Sequence, residues 1–228
     1  MKAARKKSTE RPVFWGPKVF SITSKKAEVW LHEKTHRITR MEVQSMNKVR
    51  LPSIIALLAA LVALAAFFLP YISATEEYAA YIDTIADQVV YEAAELKAGD
   101  LKNISIFAYA KTYIMAGEEI FRNKTSGYIE GGAFAAVGVF ALLTALWALG
   151  RRPILTFINN ALMGGAFYLI SWDVMDRSIM PDSRRFWGIS HQLYYPLVAI
   201  IGICAIWMFV AKHKAKKQAR AALTGSVD

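Results

Sequence analysis

Residues 51–72, LPSIIALLAALVALAAFFLPYI, carry no charged side chain. A run of about 20 apolar residues at 1.5 Å rise matches the roughly 30 Å hydrocarbon core of a bilayer, so this stretch predicts a membrane-spanning helix. Pro70 closes it, and Tyr71 falls at the level where aromatic rings favour the membrane interface. Three similar runs follow: 129–150, rich in Gly and Ala; 153–172, opening on Pro153; and 187–210, with Pro196 inside it. Between the first two the pattern changes. Tyr78, Tyr81, Ile82, Ile85, Val89, Ala93 and Leu96 recur at three- and four-residue steps, one face of a helix of about six turns. Ser73 followed by Glu76 fits a capping box at its start, and Gly99 fits a helix stop. A second amphipathic run carries Ile106, Phe107, Ala110, Ile114, Ile120 and Phe121 on one side. Neither run is apolar enough to span. The predicted fold is all-α: four transmembrane helices, with an extracytoplasmic helical hairpin over 73–128 between helices 1 and 2 and a short outer loop over 173–186.

The flanks are polar. Residues 1–50 form a tail that opens on a loosely attached stretch, 1–23, containing Pro12, Gly16 and Pro17. Residues 24–45 read either as a helix capped by Ser24, with Val29, Trp30, Ile38 and Met41 as a partial apolar face, or as a short strand hairpin, since Val, Trp, Ile and Thr also suit strands. A cleavable secretory signal places its apolar stretch directly after a short basic region. Here 50 residues precede the first span, which is expected to remain uncleaved. Residues 211–228 form a second basic tail.

Charge turns this pattern into a topology. The net charge of +10 is unevenly distributed. Both tails and the turn at Arg151-Arg152 hold 20 of the 28 Lys and Arg and only 5 of the 18 acidic residues. Lys and Arg near span ends mark the cytoplasmic side, so both termini are expected there, and the acidic 73–128 segment outside. The basic tails need no nucleic acid partner. Lys212, Lys214, Lys216 and Lys217 suit anionic lipid head groups, each worth on the order of 1 kcal/mol near an anionic leaflet.

Two patches carry a resemblance: Phe67-Phe68-Leu69-Pro70-Tyr71-Ile72-Ser73-Ala74-Thr75-Glu76-Glu77-Tyr78, and Asp100-Leu101-Lys102-Asn103-Ile104-Ser105-Ile106-Phe107. Both resemble small four-span membrane proteins of Gram-positive bacteria whose activity is uncharacterised. The resemblance covers the end of span one and part of the outer segment. It implies four spans and a bacterial plasma membrane, and it implies no activity. The topology is also similar to that of claudin-like proteins, but the Trp and paired-Cys signature of their first loop is absent.

Candidate chemistry is sparse. The single cysteine, Cys204, excludes an intrachain disulfide and a Cys-only metal site; inside an apolar run it reads as a small buried hydrophobe. His32-Glu33-Lys34-Thr35-His36 matches H-E-x-x-H, in which two imidazoles one turn apart hold Zn²⁺ beside a general base. The charged Lys34 and Arg37 and the lack of a third ligand argue for a solvated segment, which leaves His32 and His36 as weak metal candidates. The strongest polar site gathers Asp173 and Asp176 at the end of span three with His191, Tyr194 and Tyr195 near the start of span four. An Asp173–His191 contact would raise the imidazole pKa and make a pH sensor. Asn159 and Asn160 read as interhelical hydrogen-bond donors. Gly127 with Gly131, and Ala161 with Gly165, form small-xxx-small pairs for close packing inside the bundle or for a dimer face. Asn103 and Asn123 head formal glycosylation triplets, which carry no meaning in a bacterial chain.

No cofactor is expected. The expected function is that of a non-enzymatic integral membrane protein, a scaffold, accessory subunit or sensor that acts through its acidic outer hairpin, where it meets a protein partner, and through its basic cytoplasmic tail. The alternatives are a small transporter or channel subunit working as a homo-oligomer, and a metal-dependent hydrolase using His32, Glu33 and His36.

Overall fold

The computed structural model describes Val29, His32, Val49–Arg177, Ile179, Met180 and Asp182–Thr224. The chain divides after Gln44. On the N-terminal side of that division, Val29 and His32 are exposed and helical. Glu33, His36 and the rest of 24–45 lie outside the described residues, so the choice between helix and hairpin lies there too. The second unit, Ser45–Asp228, holds the four apolar helices and the segments that connect them.

Four helices are long and apolar enough to cross a membrane: α1, described over Val49–Ala66, α4 (Lys124–Leu149), α5 (Pro153–Asp176) and α6 (Ile189–Thr224). The small residues of α1 face inward and large apolar ones outward. On α1, Ala56, Ala59, Ala60, Ala63 and Ala66 are buried at three- and four-residue steps, while Leu51, Leu58, Leu61 and Val62 are exposed. This arrangement suits lipid surroundings. Hydrocarbon tails cover Leu as well as protein does, so association depends on close backbone packing through small residues. Ser53 Oγ donates to Ala148 O at 2.6 Å, and Tyr194 Oη donates to Ala63 O at 2.8 Å, so α1 touches both α4 and α6. The α4–α5 and α5–α6 contacts close the ring. Successive helices alternate in direction. Lys212 Nζ donates to Arg151 O at 2.5 Å, at the end of the bundle where α1 begins.

The opposite end carries a cap. Pro70 has no N–H to continue a helix, and the chain leaves α1 as strand β1 (Pro70–Ala74). Next come helix α2 (Glu76–Thr84), strands β2 (Val89–Tyr91) and β3 (Leu96–Lys97), a 3₁₀ turn at Ala98–Lys102, strand β4 (Asn103–Ser105) and helix α3 (Ile106–Phe121). Strand β5 (Arg185–Trp187) joins α5 to α6. β1 is the centre of an antiparallel sheet, with β4 on one edge and β5 on the other; Ile72 faces Ile104 and Trp187. The sheet therefore ties two later segments, β4 ahead of α3 and β5 ahead of α6, to the end of the first span.

The cap departs from a helical hairpin. The helix from Tyr78 stops at Thr84 instead of reaching Leu96, because Val89-Val90-Tyr91 is a β-favouring run that pairs with β3. Ser73 lies in β1 and makes no cap; Thr75 occupies the N-cap of α2 without a side-chain bond. Gly99 sits in the 3₁₀ turn. α3 forms over the second predicted run, with Ser105 Oγ accepting from Ala108 N at 3.0 Å. Its buried face includes Ile106, Tyr109, Ala110, Tyr113 and Gly117, while Phe107 and Ile114 of the predicted face are exposed. Its helical partner is α4, not α2. The α3–α4 corner is Arg122, left-handed at φ 54°, then Asn123, whose Oδ1 accepts from Thr125 N. α4 starts at Lys124, before the predicted 129, and α6 continues through the basic tail to Thr224.

Candidate functional site

Tyr71 is fully buried at the centre of the cap. β1 sets it there, one residue past Pro70, with alternate residues facing opposite sides of the strand. Its ring meets Tyr109 of α3, Phe167 of α5, Trp187 of β5 and His191 of α6, with centroids 5.3–6.3 Å apart. Its hydroxyl donates to Ser171 Oγ at 2.9 Å, and Ser171 Oγ donates to Phe167 O at 2.8 Å. Burial pushes the Tyr71 phenol well above its ordinary range, partly offset by the Ser171 bond. Tyr109 stacks on Phe134 and packs edge-on against Tyr113. Burial raises its pKa to about 12 against the opposing pull of Arg185. Strand pairing thus encloses the Tyr71 ring among protein side chains.

His191 stacks on Trp187 at 4.0 Å and 17°, and meets Phe167 and Tyr195. Tyr194 is buried, stacked on Phe167 at 4.4 Å and bonded to Ala63 O; Tyr195 is half-exposed. The aromatic part of the predicted polar site thus comes together around Tyr71.

Its acidic part does not. Among the described residues no hydrogen bond or ion pair joins Asp173 to His191. Asp173 Oδ1 accepts from Arg177 Nε at 2.8 Å, and Arg177 Nη2 donates to Glu130 Oε1 of α4 at 2.7 Å. The guanidinium lies 5.2 Å over the Phe121 ring. This cluster clamps the end of α5 to the start of α4. Asp173 Oδ2 is buried without a hydrogen-bond partner. Asp176 is exposed. Asp173 and His191 point to different neighbours: Arg177, one turn further along at the end of α5, takes the Asp173 carboxylate, and Trp187 of β5 stacks on His191.

The small-residue pairs separate as well. A Cβ on Gly127 would lie 2.5 Å from Gly117 Cα, and one on Gly131 would meet Ile114 N at 2.9 Å, so this pair seats α3 against α4. Ala161 and Gly165 face outward, and nothing lies within 4 Å of a Cβ on Gly165. Their pairing serves no packing inside the bundle; Gly164, beside Val198, does. Asn160 Nδ2 donates to Val198 O of α6 at 3.0 Å, as interhelical bonding requires, whereas Asn159 bonds within its own helix, to Leu155 O. Cys204 is buried in α6. Among the described residues no group of three His, Cys, Asp or Glu is placed to hold a metal ion.

Fold and site together define a mostly helical protein compatible with a multi-pass membrane protein: four apolar helices, with an aromatic-centred cap at one end. Comparison with family models, with curated proteins and with solved structures finds no match to this chain.

Proposed function

We propose that this chain is a non-enzymatic integral membrane protein that works as a scaffold, accessory subunit or sensor by holding a partner at its cap. The observation that carries the reading is the surface of α2 and the β2–β3 hairpin. Tyr81, Val89 and Val90 are exposed there, at 57, 55 and 39%. Glu76, Glu77, Asp83, Asp87 and Glu92 belong to the same segment. Asp83 and Asp87 pair with Lys102 and Lys97, and exposed apolar anchors on a segment otherwise rich in carboxylates suit a basic protein partner. The distribution of Lys and Arg supports a cap outside the cell and both tails in the cytoplasm. The resemblance of the Phe67–Tyr78 and Asp100–Phe107 stretches supports a bacterial plasma membrane.

The test is purification of the full chain in a gentle detergent. A second polypeptide co-purifies in this reading and is lost when Tyr81 and Val89 are both changed to Glu. Recovery of the chain alone, as a monomer, refutes it.

A second reading, transport by an oligomer, draws on Thr144 Oγ1 and Asn160 Oδ1. Both are buried in the bundle without a hydrogen-bond partner. Unsatisfied polar atoms at that depth are costly unless water or a permeant reaches them. Solute flux into vesicles that falls on Asn160→Leu supports this reading; flux equal to empty vesicles removes it.

A further inference from the structure

Beside the cap, where α1 ends, two depressions meet. One is a groove between α1, α3 and α4 of about 450 Å³. Its walls include Leu64, Phe68, Ile114, Ala135 and Leu142, and Lys111 is its one charged lining residue. The other, of about 460 Å³, lies between α3, the β3 region and the 3₁₀ turn, and is lined by Glu95, Asp100, Lys102, Asn103 and Thr112 among others. Phe107 and Lys111, one turn apart on α3, line both. An apolar and a polar lining thus adjoin at Phe107 and Lys111. The volume of each half lies in the range of small-molecule sites.

The charges in the polar half are specific. Lys102 is paired with Asp83, and Asp100 accepts from Lys97 N. Lys111 is exposed and makes no ion pair among the described residues. The polar half therefore offers one uncommitted cation at the junction and the carboxylates of Glu95 and Asp100 beyond it. The apolar half lies against α1 and α4, both long and apolar enough to cross a bilayer, which suits an acyl chain as occupant.

We propose that these two adjoining depressions together bind one glycerophospholipid with an amine-bearing head group. An acyl chain lies in the groove between α1, α3 and α4, the phosphate sits at Lys111, and the ammonium faces Glu95 and Asp100. The site goes beyond the cap-partner reading and stands without it. A tightly held lipid wedged between α1 and α3 would fix the cap's attachment to the bundle.

The experiment uses the full chain, delipidated in detergent and titrated with dioleoyl phosphatidylethanolamine, dioleoyl phosphatidylglycerol or dioleoylglycerol. Bound lipid is counted by native mass spectrometry. The expected result is one saturable phosphatidylethanolamine per chain, with phosphatidylglycerol weaker and dioleoylglycerol weakest. Lys111→Ala weakens phosphatidylethanolamine about fivefold, the effect of one charge near a head group. Ala135→Trp, which fills the groove, abolishes the saturable site. Ile203→Trp, on an exposed position of α6 (65%), leaves it intact. Glu95→Gln narrows the gap between the two phospholipids. Non-saturating uptake of many lipids overturns the proposal. So does affinity unchanged by both Lys111→Ala and Ala135→Trp, or a polypeptide found in the groove in place of lipid.

Discussion

Gly188 joins β5 to α6, and its backbone N–H donates to Tyr71 O at 2.8 Å. A Cβ there would lie 2.7 Å from the Pro70 carbonyl carbon, 3.2 Å from the Tyr71 carbonyl carbon, and closer still to Pro70 O. All three are main-chain atoms, so no side-chain rotation relieves the clash. The junction must open by roughly an ångström to reach ordinary van der Waals contact. Opening it strains the hydrogen bond and the Ile72–Trp187 and Ser73–Phe186 register. Overpacking costs about 1–3 kcal/mol and the lost bond about 1 kcal/mol. Gly188→Ala is therefore expected to lower stability by about 2–4 kcal/mol, a fall in Tm of roughly 5–15 °C for a chain of this size. Gly165→Ala is the control, because a Cβ there meets nothing within 4 Å. The assay is thermal unfolding of the full chain in detergent, followed by near-ultraviolet circular dichroism of the Tyr71–Trp187–His191 cluster. A Gly188→Ala protein that melts with the wild type, or no lower than Gly165→Ala, would refute the claim that β1–β5 packing anchors the cap.

Tyr71→Phe removes the hydroxyl bonded to Ser171 and is expected to cost about 1 kcal/mol in unfolding free energy. Adding Ser171→Ala to it should cost less than the same change in the wild type, and full additivity of the two would rule out their coupling. Alkaline pH gives a separate check. The Tyr109 phenol, raised to about 12 by burial against an unfolded value of about 10, leaves the folded chain with more bound protons between those values. Stability is thus flat in this respect below pH 10, falls as pH rises from 10 to 12, and loses about 3 kcal/mol across the window. Buried Tyr71 and Tyr113 act with the same sign. Tyr109→Phe should flatten the decline in Tm measured between pH 9.5 and 11.5, and an unchanged slope would count against burial as its cause.

Much of the cap was hidden from the sequence for a definite reason. Residues 85–97 carry apolar positions at helical spacing, yet Val89, Val90 and Tyr91 gain more by pairing with Leu96 and Lys97 in a two-stranded ribbon. β1 is five residues long and follows a span without a polar break, so it reads as the tail of a helix. Pro70 was the one local signal that a strand begins there. The polar site was half legible. His191 and Tyr194 share one end of α6 with Tyr71, Phe167 and Trp187, but Asp173 is drawn off by Arg177, four residues along the same helix, and by Glu130 on the next.

By itself the sequence determined four long apolar helices, since a continuous run of charge-free residues depends only on local composition and length. It also placed Pro153 at the first turn of α5. Only the tertiary structure decided what those helices hold together. The sheet partners of β1 lie about 30 and 115 residues away along the chain. The faces buried around Tyr71 come from five elements, and the small residues that matter are those meeting a neighbour's backbone. Gly127 and Gly165 have the same side chain. One packs α3 against α4 and the other faces outward, because contact is a property of what lies opposite and not of the residue itself.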